Sequence, residues 1–269
     1  MQGGGCGRPV HGAWFEYGTM SQFTGNTGTS TSTFNALSRK LRDATWTVGT
    51  TRGTGWLLRD QSGNYTTASN GFVWMNPLVP EVRNLVKGIM VDAITQFDLQ
   101  IVQFDDHFAW PQAYGWDSYT AAVYKQETGN NLPALTTDAT FAAWRRGKTQ
   151  AFFAEISEAA KAAKPSVLVS LAPSPITTSS VSFNADWSQW MANADEVLPQ
   201  VVPGRGRARA QQPQTCAEFA DIRARGRDLG GPVGVECGDR GANWPGSGRT
   251  ARRSGSRPRR GSSTAWEAR

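Results

Sequence analysis

A chain of 269 residues, 39% hydrophobic and 19% charged, has material for one barrel-sized domain or two small ones. It holds no run of roughly 18 apolar residues, which excludes a membrane-spanning helix, and its start, MQGGGCGRPV, lacks the apolar core of an export signal. Cys6, Cys216 and Cys237 are too far apart for a CxxC zinc site or a disulfide framework, and the net charge of +6 is confined to one end: residues 1–202 carry 14 basic and 16 acidic side chains, residues 203–269 carry 14 Arg, no Lys and 6 acids.

Residues 1–9 read as an irregular N-terminus. VHGAWFEYG (10–18) reads as a strand ending in a polar cluster. A Thr/Ser/Gly/Asn-rich excursion follows from about Thr24 to Asn70, with a weak helical signal only near Asn35 to Arg42; so long a loop in a compact domain is usually functional or disordered. Between residues 76 and 97, Pro80 marks a first helical turn, and Val82, Leu85, Val86, Ile89, Met90, Ala93 and Ile94 recur at helical spacing. The helix runs straight into LQIVQF (99–104), a buried strand, so a helix followed by a parallel strand is predicted.

The rhythm continues. SYTAAVYKQETG is a short helix closed by Gly129, and TTDATFAAWRRGKTQAFFAEISEAAKAAKP is a long one stopped by Pro165. SVLVSLAPS is a strand, ADWSQWMANA a third helical candidate, and DEVLPQVV a last strand. Four strands with their helices predict an α/β fold: a partial (β/α)8 TIM-type barrel of about four βα units spanning residues 10–202. The remaining 67 residues hold 12 Gly and few large apolar side chains, and predict a disordered Arg/Gly-rich tail that builds no core. Such a tail can bind RNA, but it lacks regular repeats and interleaved aromatics. Its Arg, Gly, Ala, Pro and Ser are what GC-rich codons yield out of frame, so the native reading frame is expected to end near Val202.

Asp105 and Asp106 fall just past the end of strand 99–104, where parallel α/β folds place their ligands. Strand alternation puts Asp105 with Gln103 and sets Val102 and Phe104 on the other face, so Asp105 is the better candidate for the barrel mouth. A helix cap and a solvated acid would account for the pair equally well. Glu16 is the carboxylate of the other acid-bearing strand end, with an ion pair to Arg145 or Arg146 as its simpler explanation. Two such ends can supply the paired carboxyl groups of glycosidic hydrolysis, which stand roughly 5 to 9.5 Å apart. HFAWPQAYGWDSY reads as a sugar-binding loop in which Trp110, Tyr114 and Trp116 face pyranose rings while His107 and Asp117 reach hydroxyls; Tyr17, Trp74 and Asn76 extend the same surface. Ordinary packing explains any one of these tryptophans, and His107 can equally orient a carboxylate. With only His11 as a companion it makes no histidine-rich metal site.

GAWFEYG, FVWMNPLVPEVRNLV, FDLQIVQFDDHFAWP, YGWDSY, WRRGKTQAFFAEISEAAKAAKPSVLVSLAP and VLPQV, in that order, resemble the bacterial glycosyl-hydrolase-like family ten over about residues 10–202. The resemblance implies a TIM barrel acting on a bacterial envelope or extracellular glycan, without a cofactor, metal or nucleic-acid partner, with Asp105 and Asp106 as the catalytic strand end and Glu16, Asn76, Pro77 and Trp144 to Arg146 as matching positions. The family would place a strand before residue 10 and more strands after VLPQV, so the chain is expected to be an incomplete barrel. A carbohydrate-binding barrel without catalysis, and an Arg-rich nucleic-acid binder, are the alternative readings.

Overall fold

The computed structural model describes residues 10–16, 18–25, 31–67 and 69–200. Residues 1–9, expected to be irregular, the expected tail at 203–269, and Tyr17 lie outside the described residues. The elements in chain order are β1 (Gly12–Phe15), β2 (Met20–Phe23), α1 (Ala36–Asp43), β3 (Thr45–Val48), β4 (Thr51–Thr54), β5 (Phe72–Trp74), α2 (Pro80–Gln96), β6 (Ile101–Asp105), α3 (Ser118–Thr128), α4 (Ala139–Ala163), β7 (Leu168–Ala172), α5 (Ile176–Ser182) and β8 (Glu196–Val197).

A four-stranded sheet in the order β1-β6-β7-β8 carries the architecture, and every pairing in it is parallel. Parallel neighbours need a crossover, and here α2 precedes β6 and α4 precedes β7. The fold is therefore mixed α/β, with five helices among the described residues. One face of the sheet is apolar. Val102 and Phe104 of β6, Val169 and Leu171 of β7, and Val197 of β8 join one hydrophobic cluster with Val82, Val86, Met90 and Ile94 of α2 and Phe152, Phe153, Ile156 and Ala160 of α4. Each such side chain contributes roughly 1.5–3 kcal/mol by leaving water. Across the seam between these helices, Arg83 and Lys87 of α2 both pair with Glu155 of α4.

The other face carries a polar row at one register level. Trp14, Gln103, Ser170 and Glu196 are successive cross-strand partners. Gln103 Nε2 donates to Ser170 Oγ, and Ser170 Oγ donates to Glu196 Oε2, both at 2.9 Å.

The excursion between Thr24 and Asn70 is more ordered than its composition predicts. Asn35 caps α1 by accepting the Ser38 N–H at 2.7 Å. β3 and β4 form an antiparallel hairpin turning at Gly49, where φ is +57°. The hairpin is anchored by Trp46, whose ring meets Tyr119 of α3 edge-on at 5.4 Å; a β-carbon on Gly53 would stand 2.4 Å from the Trp46 ring, so only glycine fits opposite it. β2 and β5 pair antiparallel as a second small sheet.

Two expectations near the end of the described residues are corrected. ADWSQWMANA is no α-helix: only Trp187–Gln189 makes a single 3-10 turn, with Trp187 and Trp190, three residues apart, both buried in the core. A short helix, α5, forms instead over Ile176–Ser182. The last strand, DEVLPQVV, contracts to Glu196–Val197 among its described residues.

Candidate functional site

Phe15 of β1, Asp105 of β6 and Ala172 of β7 end their strands on the same side because the sheet is parallel and in register. Glu16, Asp106 and Ser174 follow those ends, so three strands deliver polar groups to one edge. The chain then turns sharply: the Phe108 N–H returns to the Asp105 carbonyl at 3.2 Å, and the Asp105 Oδ1 accepts the His107 N–H at 2.9 Å. This turn folds the imidazole back over its own strand end.

His107 Nδ1 is the centre of the cluster. It lies 3.1 Å from the Glu16 carbonyl oxygen, 3.3 Å from Asp105 Oδ2 and 3.6 Å from Asp106 Oδ1. Asp106 is held from the next strand, its Oδ2 accepting the Ser174 hydroxyl at 2.6 Å. The ring packs against Phe72 and Trp74 of β5, with centroids 5.0 and 6.3 Å away. A second clamp comes from Thr19, whose N–H donates to the His107 carbonyl at 3.1 Å and whose hydroxyl donates to the Ala109 carbonyl at 2.8 Å.

Gly18 makes that clamp possible. Its φ is +45°, and a β-carbon there would stand 2.5 Å from the His107 carbonyl oxygen. Gly18→Ala combines left-handed strain with a backbone clash, so it is expected to cost about 1–3 kcal/mol, read as a lowered urea midpoint; an unchanged midpoint would show that the clamp is not tight.

The charges of the cluster follow from burial. The Asp105 side chain is 3% exposed, and burial pushes its carboxyl above the usual carboxylate range against the opposing effect of the His107 bonds; repulsion from Asp106 adds only the smallest contribution. For His107, burial acts downward, but the hydrogen bond to Asp105, the charges of Asp105 and Asp106 and the Glu16 carbonyl together hold it above the ordinary imidazole value. Both groups are raised for different reasons.

Asp105, Asp106 and His107 are the one group among the described residues with three ligand-type side chains, one ligand atom from each lying within 4.8 Å of the others. A carbonyl oxygen only accepts, so the 3.1 Å approach of Glu16 fits an Nδ1 that bears a proton and has no lone pair for an ion.

The expected residues divide sharply. Asp105 does share the Gln103 face, but it is buried behind His107; the carboxyl open to a ligand is Asp106, with 23% of its side chain exposed. Glu16 is exposed and contributes its main-chain carbonyl rather than its carboxylate. Its expected ion pair with Arg145 is absent: Arg145 is fully buried and donates to the carbonyls of Gln112 and Tyr114 at 2.8 Å and of Thr136 at 3.2 Å.

Of the predicted sugar-binding surface, Trp74, Trp110 and Tyr114 are fully buried, and a ring with no exposed face cannot stack on a sugar. Trp110 donates to the Tyr114 carbonyl at 3.1 Å and packs edge-on against Trp144. Burial lifts the Tyr114 hydroxyl to about 12. Asn76 and Asp117 are buried structural groups. Asp117 caps α3 by accepting the Thr120 N–H at 2.9 Å, and Asn76 Nδ2 donates to Asp117 at 3.0 Å and to Thr120 Oγ at 2.9 Å. Trp116 is partly exposed, its indole N–H bound to the Pro133 carbonyl. Among the described residues, His107 and Trp116 are thus the two members of the predicted sugar-binding set with side chains left accessible. Gly18 and Thr19 were missed, and a Gly-Thr pair after a strand was their one signal.

Residues 10–222 match the family described as Glycosyl hydrolase-like 10, a match that continues past Val202. Glycosyl hydrolase DigH of Escherichia coli (strain K12) is 24% identical over 173 residues, 58% of this chain and 37% of that protein, and DigH of Shigella flexneri gives the same values. The chain therefore spans about 37% of the length of these curated relatives. The glycoside hydrolase domain of PgaB (BpsB) from Bordetella bronchiseptica aligns with a TM-score of 0.48 at 13% identity, covering 65% of this chain and 53% of that one.

Proposed function

As this chain belongs to the glycosyl hydrolase-like 10 family, we propose that it forms the catalytic edge of a glycoside hydrolase acting on a bacterial envelope or extracellular glycan. Its four parallel strands are then consecutive βα units of a (β/α)8 barrel, whose carboxyl-terminal edge is where that fold keeps its chemistry. The observation that carries the reading is the meeting of Asp105, Asp106, His107 and Ser174 at that edge, with one carboxyl buried and the other accessible.

Glycosidic cleavage passes through an oxocarbenium-like centre and needs a proton for the departing oxygen. Asp106 is placed to face the developing positive charge, fixed on one oxygen by Ser174. Asp105 lies behind it and orients His107. Glu16, exposed on the neighbouring strand end, remains the second carboxylate within this edge. No helix among the described residues is long and apolar enough to cross a membrane.

The test is release of reducing ends from bacterial polysaccharides and glycan strands by the folded chain. Release sensitive to Asp106 supports hydrolysis. Retention of a glycan without release would replace the reading by the non-catalytic binder, and salt-sensitive RNA binding without glycan contact by the nucleic-acid reading.

A further inference from the structure

We infer that His107 is a catalytic residue of this edge: Asp105 fixes its ring through Nδ1 and leaves Nε2 as the atom that carries the proton to and from the substrate. The inference rests on the hydrolase reading and deepens it, since it names the proton donor.

The geometry is that of an oriented imidazole. Nδ1 is enclosed by three oxygens at 3.1, 3.3 and 3.6 Å, from Glu16, Asp105 and Asp106. The Glu16 carbonyl can only accept, so Nδ1 is the protonated nitrogen in the neutral ring. Nε2 has no hydrogen-bond partner among the described residues, and 23% of the side chain is exposed. The ring is also held in its plane. Phe72 and Trp74 flank it from β5, and Thr19 grips its main-chain carbonyl. A histidine whose one nitrogen is bound by a buried carboxylate while the other is free is the arrangement by which enzymes set a tautomer and aim a proton.

The groups facing the imidazole are the Glu16 carbonyl after β1, the neutral rings of β5, and the Asp105 and Asp106 carboxylates at the end of β6, with Ser174 beyond β7 holding Asp106. All the charge around it is negative, which keeps the doubly protonated ring available above the ordinary imidazole value. In that state Nε2–H gives its proton to the glycosidic oxygen as the C–O bond breaks, the oxygen leaving with the bonding pair. Water then adds to the anomeric carbon, and the proton it releases restores Nε2–H. Asp106 faces the positive centre throughout.

Only two histidines, His11 and His107, occur in the chain, so nitrogen NMR of the imidazoles, assigned with His11→Gln, reads the site without a substrate. At a pH above its titration the wild-type His107 ring is expected to carry its proton on Nδ1 with Nε2 bare, and its titration is expected at a higher pH than in Asp105→Asn. An Nε2–H tautomer, or a titration unmoved by Asp105→Asn, overturns the inference. The wild-type tautomer decides the matter even where that variant does not fold.

On a cleaved glycan, kcat/KM should fall as pH rises through the titration of His107, because the acid form is lost. His107→Gln should remove that limb and lower kcat by about 10²- to 10⁴-fold at little cost in KM. Turnover that keeps its alkaline limb in His107→Gln assigns the proton to another group and overturns the inference. If the wild type releases no reducing ends at all, the hydrolase reading fails by itself, and with it the substrate half of this inference, while the tautomer still reports whether the ring is set as described.

Discussion

Replacing Asp106 by asparagine is expected to lower kcat on any glycan the wild type cleaves by about 10²- to 10⁴-fold, the range for loss of one positioned acid-base or charge-stabilising group. KM should change little. Asparagine keeps the size and can still accept the Ser174 hydroxyl bond of 2.6 Å, so the edge should stay assembled; what it removes is the negative charge beside the sugar. Steady-state kinetics alongside a urea melt separates these effects. If kcat is retained, the substrate is served by another carboxyl, and Glu16 on the neighbouring strand end becomes the one to replace next.

A change remote from this edge is expected to give the largest loss of stability. Arg145 of α4 is wholly buried, and its guanidinium serves three main-chain carbonyls while lying over the Phe141 ring at 4.4 Å. No carboxylate among the described residues pairs with it. Burial lowers it to about 10, with Arg146 pushing the same way, and its Nε has no partner among the described residues. Arg145→Met fills similar space but leaves carbonyls of the 112–114 loop and of Thr136 without their charged donor. Each such loss is worth roughly 1.5–3 kcal/mol, partly offset because a cation no longer has to be desolvated, so the net cost should be about 2–4 kcal/mol. Denaturant unfolding measures it. A loss below about 0.5 kcal/mol, the range of ordinary surface changes, would mean that water or neighbouring groups already satisfy those carbonyls.

The long helices and central strands were legible because their patterns are strong. α2 and α4 repeat apolar residues at helical spacing over many turns, and β6 and β7 are short, dense in branched apolar side chains and bounded by turn residues. The hairpin Thr45–Thr54 was not legible. TWTV and TRGT carry Thr at every second position or at both ends, with no run of apolar residues, and Trp46 packs against Tyr119, distant in sequence. α5 was hidden for a similar reason, since ITTSSVS has no apolar stripe.

At the site, alternation separates Asp105 from Phe104, yet both are buried, because alternation stops being informative at the last residue of a strand. Over Asp105 lies the turn that returns His107 to it, and the His107 ring is packed in turn against Phe72 and Trp74, which arrive from β5. The buried tryptophans mislead likewise: a Trp in a loop reads as a platform from sequence, whereas Trp110 is enclosed by Trp144 of a helix that follows it.

The row formed by Gln103, Ser170 and Glu196 also guards the assembly of the sheet. Were β7 to dock one residue out of place, Val169 or Leu171 would stand where Ser170 now accepts from Gln103 and donates to Glu196. The error would strip two hydrogen bonds at once and turn apolar side chains away from α2 and α4. Mispaired sheets therefore differ from the native one by several kcal/mol rather than by a small fraction of one. That gap keeps Asp106 and Ser174, which follow the ends of neighbouring strands and meet only in one register, from being parted during folding.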